Sequence, residues 1–396
     1  MAETEHALLE LDSDQRAFLD AVHAFARNEV APRARRIDAD DTFDPGLVSK
    51  AAQLGLQGMV FDDDGALDPE GYVLAHETTE LLASYSGAAA LAVGVARLHA
   101  HLLNRFAGPE ARERWLPGLL DGTGFGCFCI TEPHAGSDVR GMRTTAAADG
   151  DDYVLSGEKA FITQAPVARF GIVLAKLEHT ERDADMRAFV VDFDQQGVQV
   201  GGPEPMLGFR GVPMASVVFD GARVPAANAL AVDGFAGMFE GVNLARLDAA
   251  AYALGFIRGA LRECTEYLRE RESFGKPLDR HQLVQGALGE MFADYLAARE
   301  LTLSAVRGFS AGQGGDATLI SAAKLTATEA AMRCTSKAVD LLGGSGVHLD
   351  YAVQRFFRDA KITQIIDGTS GIQTLMLGRA AAGLDWSRSV PARPPS

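Results

Sequence analysis

The apolar residues of this chain change their spacing twice, and that double change restricts the possible folds more than any single motif. From about Ser13 to Gly122 they recur at helical intervals, with Phe18, Val22, Phe25 and Val30 on one stripe and an Ala-rich, buried-helix pattern from His76 to Ala107. Ser13 is the expected cap of the first helix, and Gly108-Pro109 breaks the chain before an amphipathic Glu110–Leu120. Between Phe125 and Val232 short runs rich in Val, Phe and Ile take over: Tyr153–Leu155, Gly171–Leu174, Ala188–Phe193 and Ser216–Phe219. Gly, Pro and Asp punctuate them, the mark of antiparallel strands. Long helical patterns return from Gly234 to Leu384, with Tyr267 and Phe274 near the end of the first. This order predicts an α+β chain. A helical N-terminal domain (1–124) precedes a middle antiparallel β domain (125–232), and a C-terminal helical bundle (233–384) precedes a disordered Pro- and Arg-bearing tail (385–396).

Composition narrows the partners. A formal charge of −16 argues against nucleic acid, whose phosphates need a basic surface. It leaves room for an anionic cofactor held locally by a few Arg, backbone amides and helix N-termini. Apolar residues make up 47% of the chain, yet no stretch approaches the roughly 18 residues of a membrane span. The acidic Met-Ala-Glu-Thr-Glu-His start is followed by no apolar run with a cleavage site, so a cytoplasmic protein is expected. Cys127, Cys129, Cys264 and Cys334 show neither zinc spacing nor the density of a disulfide scaffold. They read as buried thiols in a reducing compartment, and no metal site is expected.

Several segments carry chemistry. Phe128-Cys-Ile-Thr-Glu-Pro-His-Ala-Gly-Ser-Asp138 sets small residues and hydrogen-bond donors at a strand-to-loop turn, where a flat cofactor and a thioester can both approach closely. Glu270-Arg-Glu-Ser-Phe-Gly-Lys276 follows a long helix; Arg358-Asp-Ala-Lys361 and Asp367-Gly-Thr-Ser370 come near the end. In this order, from about residue 12 to residue 384, they resemble the acyl-CoA dehydrogenase family of flavoenzymes.

The resemblance implies FAD. Thr131 and Thr163 match the threonines that meet the flavin, and Phe161 stands where a Trp usually stacks on its ring. Arg271, Ser273 and Phe274 match a segment that reaches the FAD pyrophosphate of a neighbouring subunit. Gly343 and Gly344 match a turn whose amides approach the same cofactor, with His281, Gln282 and Thr369 as further contacts. A shared site implies a homodimer or homotetramer. Asp340 and Gly371 depart from the pattern, each standing where the family often carries Gln. Ser137, Arg246 and Gly368 match substrate-binding positions for an acyl-CoA or acyl-carrier-protein thioester, and an electron-transferring flavoprotein would take the electrons. A solvated salt bridge on a helix surface is the alternative for Arg246.

Asp367 occupies the position of the family's catalytic Glu, and Ala245 excludes the alternative base on the preceding helix. The implied reaction is α-proton abstraction by Asp367 with β-hydride transfer to flavin N5, the base's own N–H helping to polarise the thioester carbonyl. The shorter side chain leaves three readings open. The chain is a working dehydrogenase with an unusual acyl group, or a nitroalkane-oxidase-like flavin oxidase, or a degenerate flavin-binding homologue in which Asp367 only caps the following helix.

Overall fold

The computed structural model describes residues 11–62, 65–178, 186–232, 234–311 and 315–384. The expected tail at 385–396 lies outside them.

Among the described residues six α-helices form the N-terminal unit: α1 (Ser13–Phe25), α2 (Ala31–Asp40), α3 (Pro45–Gln53), α4 (Pro69–Ala83), α5 (Gly87–Phe106) and α6 (Pro109–Leu120). Local chemistry sets their starts. Pro occupies the first turn of α3, α4 and α6, where its missing N–H costs nothing, and the carboxylates of Asp44 and Asp68 cap α3 and α4. The cap of α1 corrects the expectation from sequence. It is Asp12, not Ser13: its carboxylate accepts the N–H groups of Asp14 and Gln15, and the Gln15 side chain returns to the Asp12 amide.

The middle unit is one curled sheet of β1 (Gly126–Cys129), β2 (Thr145–Asp149), β3 (Asp152–Thr163), β4 (Phe170–Leu177), β5 (Met186–Asp192), β6 (Val198–Val200) and β7 (Met214–Pro225). It is not wholly antiparallel, as the strand pattern suggested. β1 and β2 both pair parallel to β4, because β4 is reached after the β2–β3 pair and runs back beside β1. Alternation sorts the residues of β4 and β5 to two buried faces. Phe170, Ile172, Leu174, Ala188 and Val190 pack towards the helices, while Val173, Ala175, Phe189 and Val191 face the sheet's own interior with Cys127 and Cys129. Burial on both faces explains the near-continuous apolar runs. All four cysteines are free and buried.

The C-terminal unit begins with α7 (Gly234–Glu270), a helix of 37 residues. A small hairpin follows, β8 (Glu272–Ser273) and β9 (Lys276–Pro277), then α8 (Gln282–Ser310), α9 (Ala317–Leu342), α10 (Val353–Thr363) and α11 (Ser370–Ala382). Phe274 therefore lies beyond the helix, in the hairpin. Close contact fixes α7 against α4: a Cβ on Gly255 would stand 2.4 Å from the Glu80 carbonyl oxygen. Among the described residues no helix is long and apolar enough to cross a membrane.

Candidate active site

The turn between α10 and α11 holds Asp367 at φ 56 and Gly368 at φ 95, both in the left-handed region. Asp tolerates that region better than most residues, and Gly enters it freely. Three side chains pin the turn, two of them from distant helices. Arg246 from α7 donates through Nε to the Asp367 carbonyl (3.1 Å), and Lys324 from α9 donates to the Gly368 carbonyl (2.9 Å). Gln373 from α11 donates to the same Gly368 oxygen at 2.9 Å. A fourth anchor is Glu329, which accepts from Ser370 Oγ at 2.6 Å and Gln364 Nε2 at 2.8 Å.

With its carbonyl so used, Asp367 keeps its carboxylate free of hydrogen bonds among the described residues, and its N–H likewise meets no acceptor there. Desolvation raises the carboxyl pKa to about 6, against the pull of nearby Lys324 and Arg246; Asp248 adds to the rise. Burial lowers Lys324 to about 8. The capping alternative fails here, because the cap of α11 is the Thr369 hydroxyl, which accepts the Ile372 N–H at 3.3 Å. Asp367 is left with an unpartnered carboxylate on a fixed turn.

Arg246 is buried, 4% exposed, so it forms no surface salt bridge; besides Asp367 it donates to Asn243 at 3.2 Å and lies over the Phe239 ring. Within the chain its Nε holds the Asp367 turn. Ser137 sits exposed on the loop after β1.

The flavin-matching residues of the sheet come together. Ala160 N–H donates to the Thr131 carbonyl at 2.9 Å, joining the Thr131 segment to the end of β3. Beneath them Lys159 and Glu132 form a buried ion pair at 2.9 Å. Burial alone would raise the Glu132 pKa, but Lys159, Thr144 and the Arg143 amide outweigh it and hold the carboxyl at about 2. This anchor supports an irregularity of register between Lys159 and Ile162, where Phe161 takes φ 57 and turns a 57% exposed side chain outward. Thr131 and Thr163 remain partly exposed nearby in the chain. An outward aromatic face held in a strained conformation, flanked by hydroxyl donors, fits a flat ring system such as flavin.

The remaining cofactor-matching residues lie elsewhere. Arg271, Phe274 and Gln282 are exposed around the β8–β9 hairpin, Phe274 to 95% at φ 52. Ser273 is half-buried, and its carbonyl accepts from His281 Nε2 at 3.1 Å. Gly343 and Gly344 are exposed at the end of α9, and Tyr267 Oη meets Ser345 Oγ at 3.1 Å, which ties that turn to the same end of α7. Asp340 and Gly371 are both exposed. Twenty-five residues separate Arg246 from Arg271, roughly 37 Å along a helix. Arg246 lies in the N-terminal half of α7 and Arg271 just beyond its C-terminal end, so the two stand well apart along the helix.

Sequence reasoning missed Lys324, Gln373, Glu329, Asp248, Arg97 and Tyr252. The available signal was a charged or polar residue inside an apolar helical stripe, as Lys324 is in α9. One more buried cluster, His76, Glu77 and Glu80 of α4, brings possible metal ligands within 4.8 Å of one another. Arg299 already donates to both Glu77 oxygens (2.8 and 2.7 Å) and lies 3.6 Å from Glu80, so a guanidinium supplies the positive charge there.

Abstracting a carbon-bound proton beside a flat redox cofactor calls for a carboxylate that nothing else has claimed, and the architecture is that of a flavin-dependent dehydrogenase. Family models match along the chain: acyl-CoA dehydrogenase N-terminal domain at residues 12–123, middle domain at 127–222 and C-terminal domain at 232–382. The chain belongs to the acyl-CoA dehydrogenase family; its cofactor is FAD, and it is an oxidoreductase acting on CH–CH groups. It is 35% identical over 368 residues to cyclohexane-1-carbonyl-CoA dehydrogenase of Geobacter metallireducens, covering 92% of this chain and 96% of that one. The butyryl-CoA dehydrogenase structure from Megasphaera elsdenii superposes with a TM-score of 0.88 at 32% identity, covering 94% of this chain and 99% of the other. Glutaryl-CoA dehydrogenase from Mycobacterium smegmatis in complex with FADH2 gives 0.87 at 28% identity, covering 94% and 95%.

Proposed function

We propose that this protein is an acyl-thioester dehydrogenase in which Asp367 removes the α-proton of an acyl-CoA or acyl-carrier-protein substrate. The observation that carries this reading is the unclaimed carboxylate of Asp367, raised to about 6 on a turn pinned by Arg246, Lys324 and Gln373. A base with its pKa nearer neutrality is better matched to a weak carbon acid. Losing a methylene relative to Glu retracts the carboxylate, and the rigid turn demands that the substrate come to the base. The unpaired Asp367 N–H suits a developing thioester oxyanion.

FAD would supply the hydride acceptor for the β-carbon, with an electron-transferring flavoprotein as the proposed electron acceptor. Thr131, Phe161 and Thr163 hold the ring, while Arg271, Ser273, Phe274, Gln282, Gly343 and Gly344 act on the cofactor of a second copy. The separation along α7 and the exposure of the hairpin support that assignment and an oligomer, dimer or tetramer. Ser137 and Gly368 lie on the substrate side. Four free buried thiols accord with a cytoplasmic setting.

The test is anaerobic bleaching of the flavin band by a panel of acyl-CoAs, the same acyl groups on a carrier protein, and nitroethane. One thioester series should bleach it, and Asp367→Asn should slow that reduction by about two to four powers of ten while FAD stays bound. Bleaching by nitroethane alone, or an unimpaired Asn variant, defeats the reading.

A further inference from the structure

A polar cluster lies deeper along α7 from the base, and the reaction does not use it. Asp248 and Tyr252 follow Arg246 on this helix, and both feel the base electrostatically: Asp248 acts on Asp367, and Asp367 on Tyr252. Facing them from α5 are Gly94 and Arg97. Arg97 is 1% exposed; it donates to Asp248 Oδ1 at 2.6 Å and to Thr79 Oγ1 at 2.9 Å. Its Nε and Nη1 have no partner among the described residues. Tyr252 is 2% exposed, and its hydroxyl makes no hydrogen bond among the described residues. The hydroxyl lies where α5 carries no side chain: a Cβ on Gly94 would stand 2.2 Å from Oη, and 3.6 Å from Asp248 Oδ2. Phe209 packs edge-on against the Tyr252 ring with centroids 5.7 Å apart, fixing its position.

Buried donors without acceptors are costly in an apolar core, and a group that satisfies them is favoured. Resting on the assignment of Asp367 as base, we propose that Tyr252, with Asp248 and Arg97 behind it, closes the acyl end of the site and selects a short acyl group carrying a hydroxyl. The ring of Tyr252 against Gly94 leaves no course for a long alkyl tail between α5 and α7. The substrate hydroxyl exchanges a hydrogen bond with the tyrosine that a methyl group cannot make. The ion pair is internally neutral, so the pocket favours a neutral polar substituent over a second carboxylate or an ammonium group. Reaction at the α and β carbons leaves that hydroxyl unchanged.

The experiment uses the FAD-loaded protein and freshly prepared γ-hydroxybutyryl, pentanoyl and octanoyl thioesters; the first two match in heavy-atom count along the acyl chain. Anaerobic flavin reduction should favour γ-hydroxybutyryl over pentanoyl by about a hundredfold or more, since a site built to bond a hydroxyl rejects the analogue lacking it. Octanoyl should be slower still. Tyr252→Phe should bring the first ratio within about tenfold. Gly94→Ala, whose new methyl must displace the tyrosine hydroxyl, should lower it too and serves where the Phe variant fails to fold. Calorimetric binding of the same thioesters to Asp367→Asn reads the pocket without turnover. If that variant binds the hydroxylated chain selectively while wild type reduces no thioester, the dehydrogenase assignment falls and the pocket stands. If pentanoyl matches γ-hydroxybutyryl in reduction and binding, or octanoyl reacts as fast, or the ratio survives in both variants, the pocket proposal is overturned.

Discussion

The Arg246 stretch of α7 and the helix's C-terminal end are built on opposite plans. Around Arg246 the three side chains that donate to the turn, Arg246, Lys324 and Gln373, are buried and bonded inside the chain, and the Asp367 carboxylate is left unclaimed among the described residues. At the Arg271 end Arg271, Phe274 and Gln282 stand in solvent, Phe274 almost wholly so, and Leu283 next to Gln282 is 92% exposed. Reactivity needs a carboxylate held still against its own desolvation cost, which only a packed interior supplies. The proposed reach to a cofactor on another copy would need the reverse, side chains kept out of their own core.

Changes at the two ends should consequently separate. Arg271→Ala should weaken FAD retention by roughly ten- to a hundredfold, the range of a lost charge-assisted hydrogen bond, without altering the pH dependence of reduction. Flavin fluorescence of gel-filtered protein measures it; undiminished retention would deny the exposed edge its cofactor role.

The second change belongs to the base. With a folded pKa near 6, Asp367 is progressively protonated below that pH, and the reduction rate should fall up to tenfold per pH unit. The stability linkage runs the other way. A carboxyl whose folded pKa exceeds its ordinary value favours the fold below the unfolded pKa and loses that contribution as pH rises through about 6. Asp367→Asn should therefore raise the melting temperature at pH 8 more than at pH 4, and an equal shift at both would show the carboxyl to be well solvated.

Smallest is Gln373→Ala. It removes the 2.9 Å donor to Gly368 and should cost about 1–2 kcal/mol in denaturant unfolding, with a loss in reduction rate of tenfold or less. A stability loss with no change in rate would mean that Arg246 and Lys324 alone position the base.

Much of this was readable in the chain, and the misses have physical causes. The change from helical to strand spacing marks the three units, because burial of a face imposes its period directly on sequence. Asp367, Thr131, Phe161 and Thr163 were reachable because each sits in a short contiguous motif. Lys324 and Arg97 were not: their partners are 44 and 151 residues away, and no local pattern records such a pairing. Arg246 was found, but not its service to the Asp367 carbonyl, since a guanidinium bound to a backbone leaves no trace in side-chain identity. The parallel pairing of β1 with β4 was hidden for a similar reason: strand direction follows connectivity, whereas alternation reports only burial.

A single unbroken helix joins the two ends, and this constrains how the gene can change. One codon added between Arg246 and Arg271 would turn everything downstream by about 100° and push it 1.5 Å outward, so that hairpin and base turn could not both keep their orientation. Seven codons would nearly restore the facing yet move the hairpin about 10 Å along the axis, away from the cofactor position proposed for a second copy. Substitutions can accumulate on the outer surface of α7, but its length between those two arginines is expected to be fixed, as a ruler is, while surface loops elsewhere in the chain lengthen and shorten.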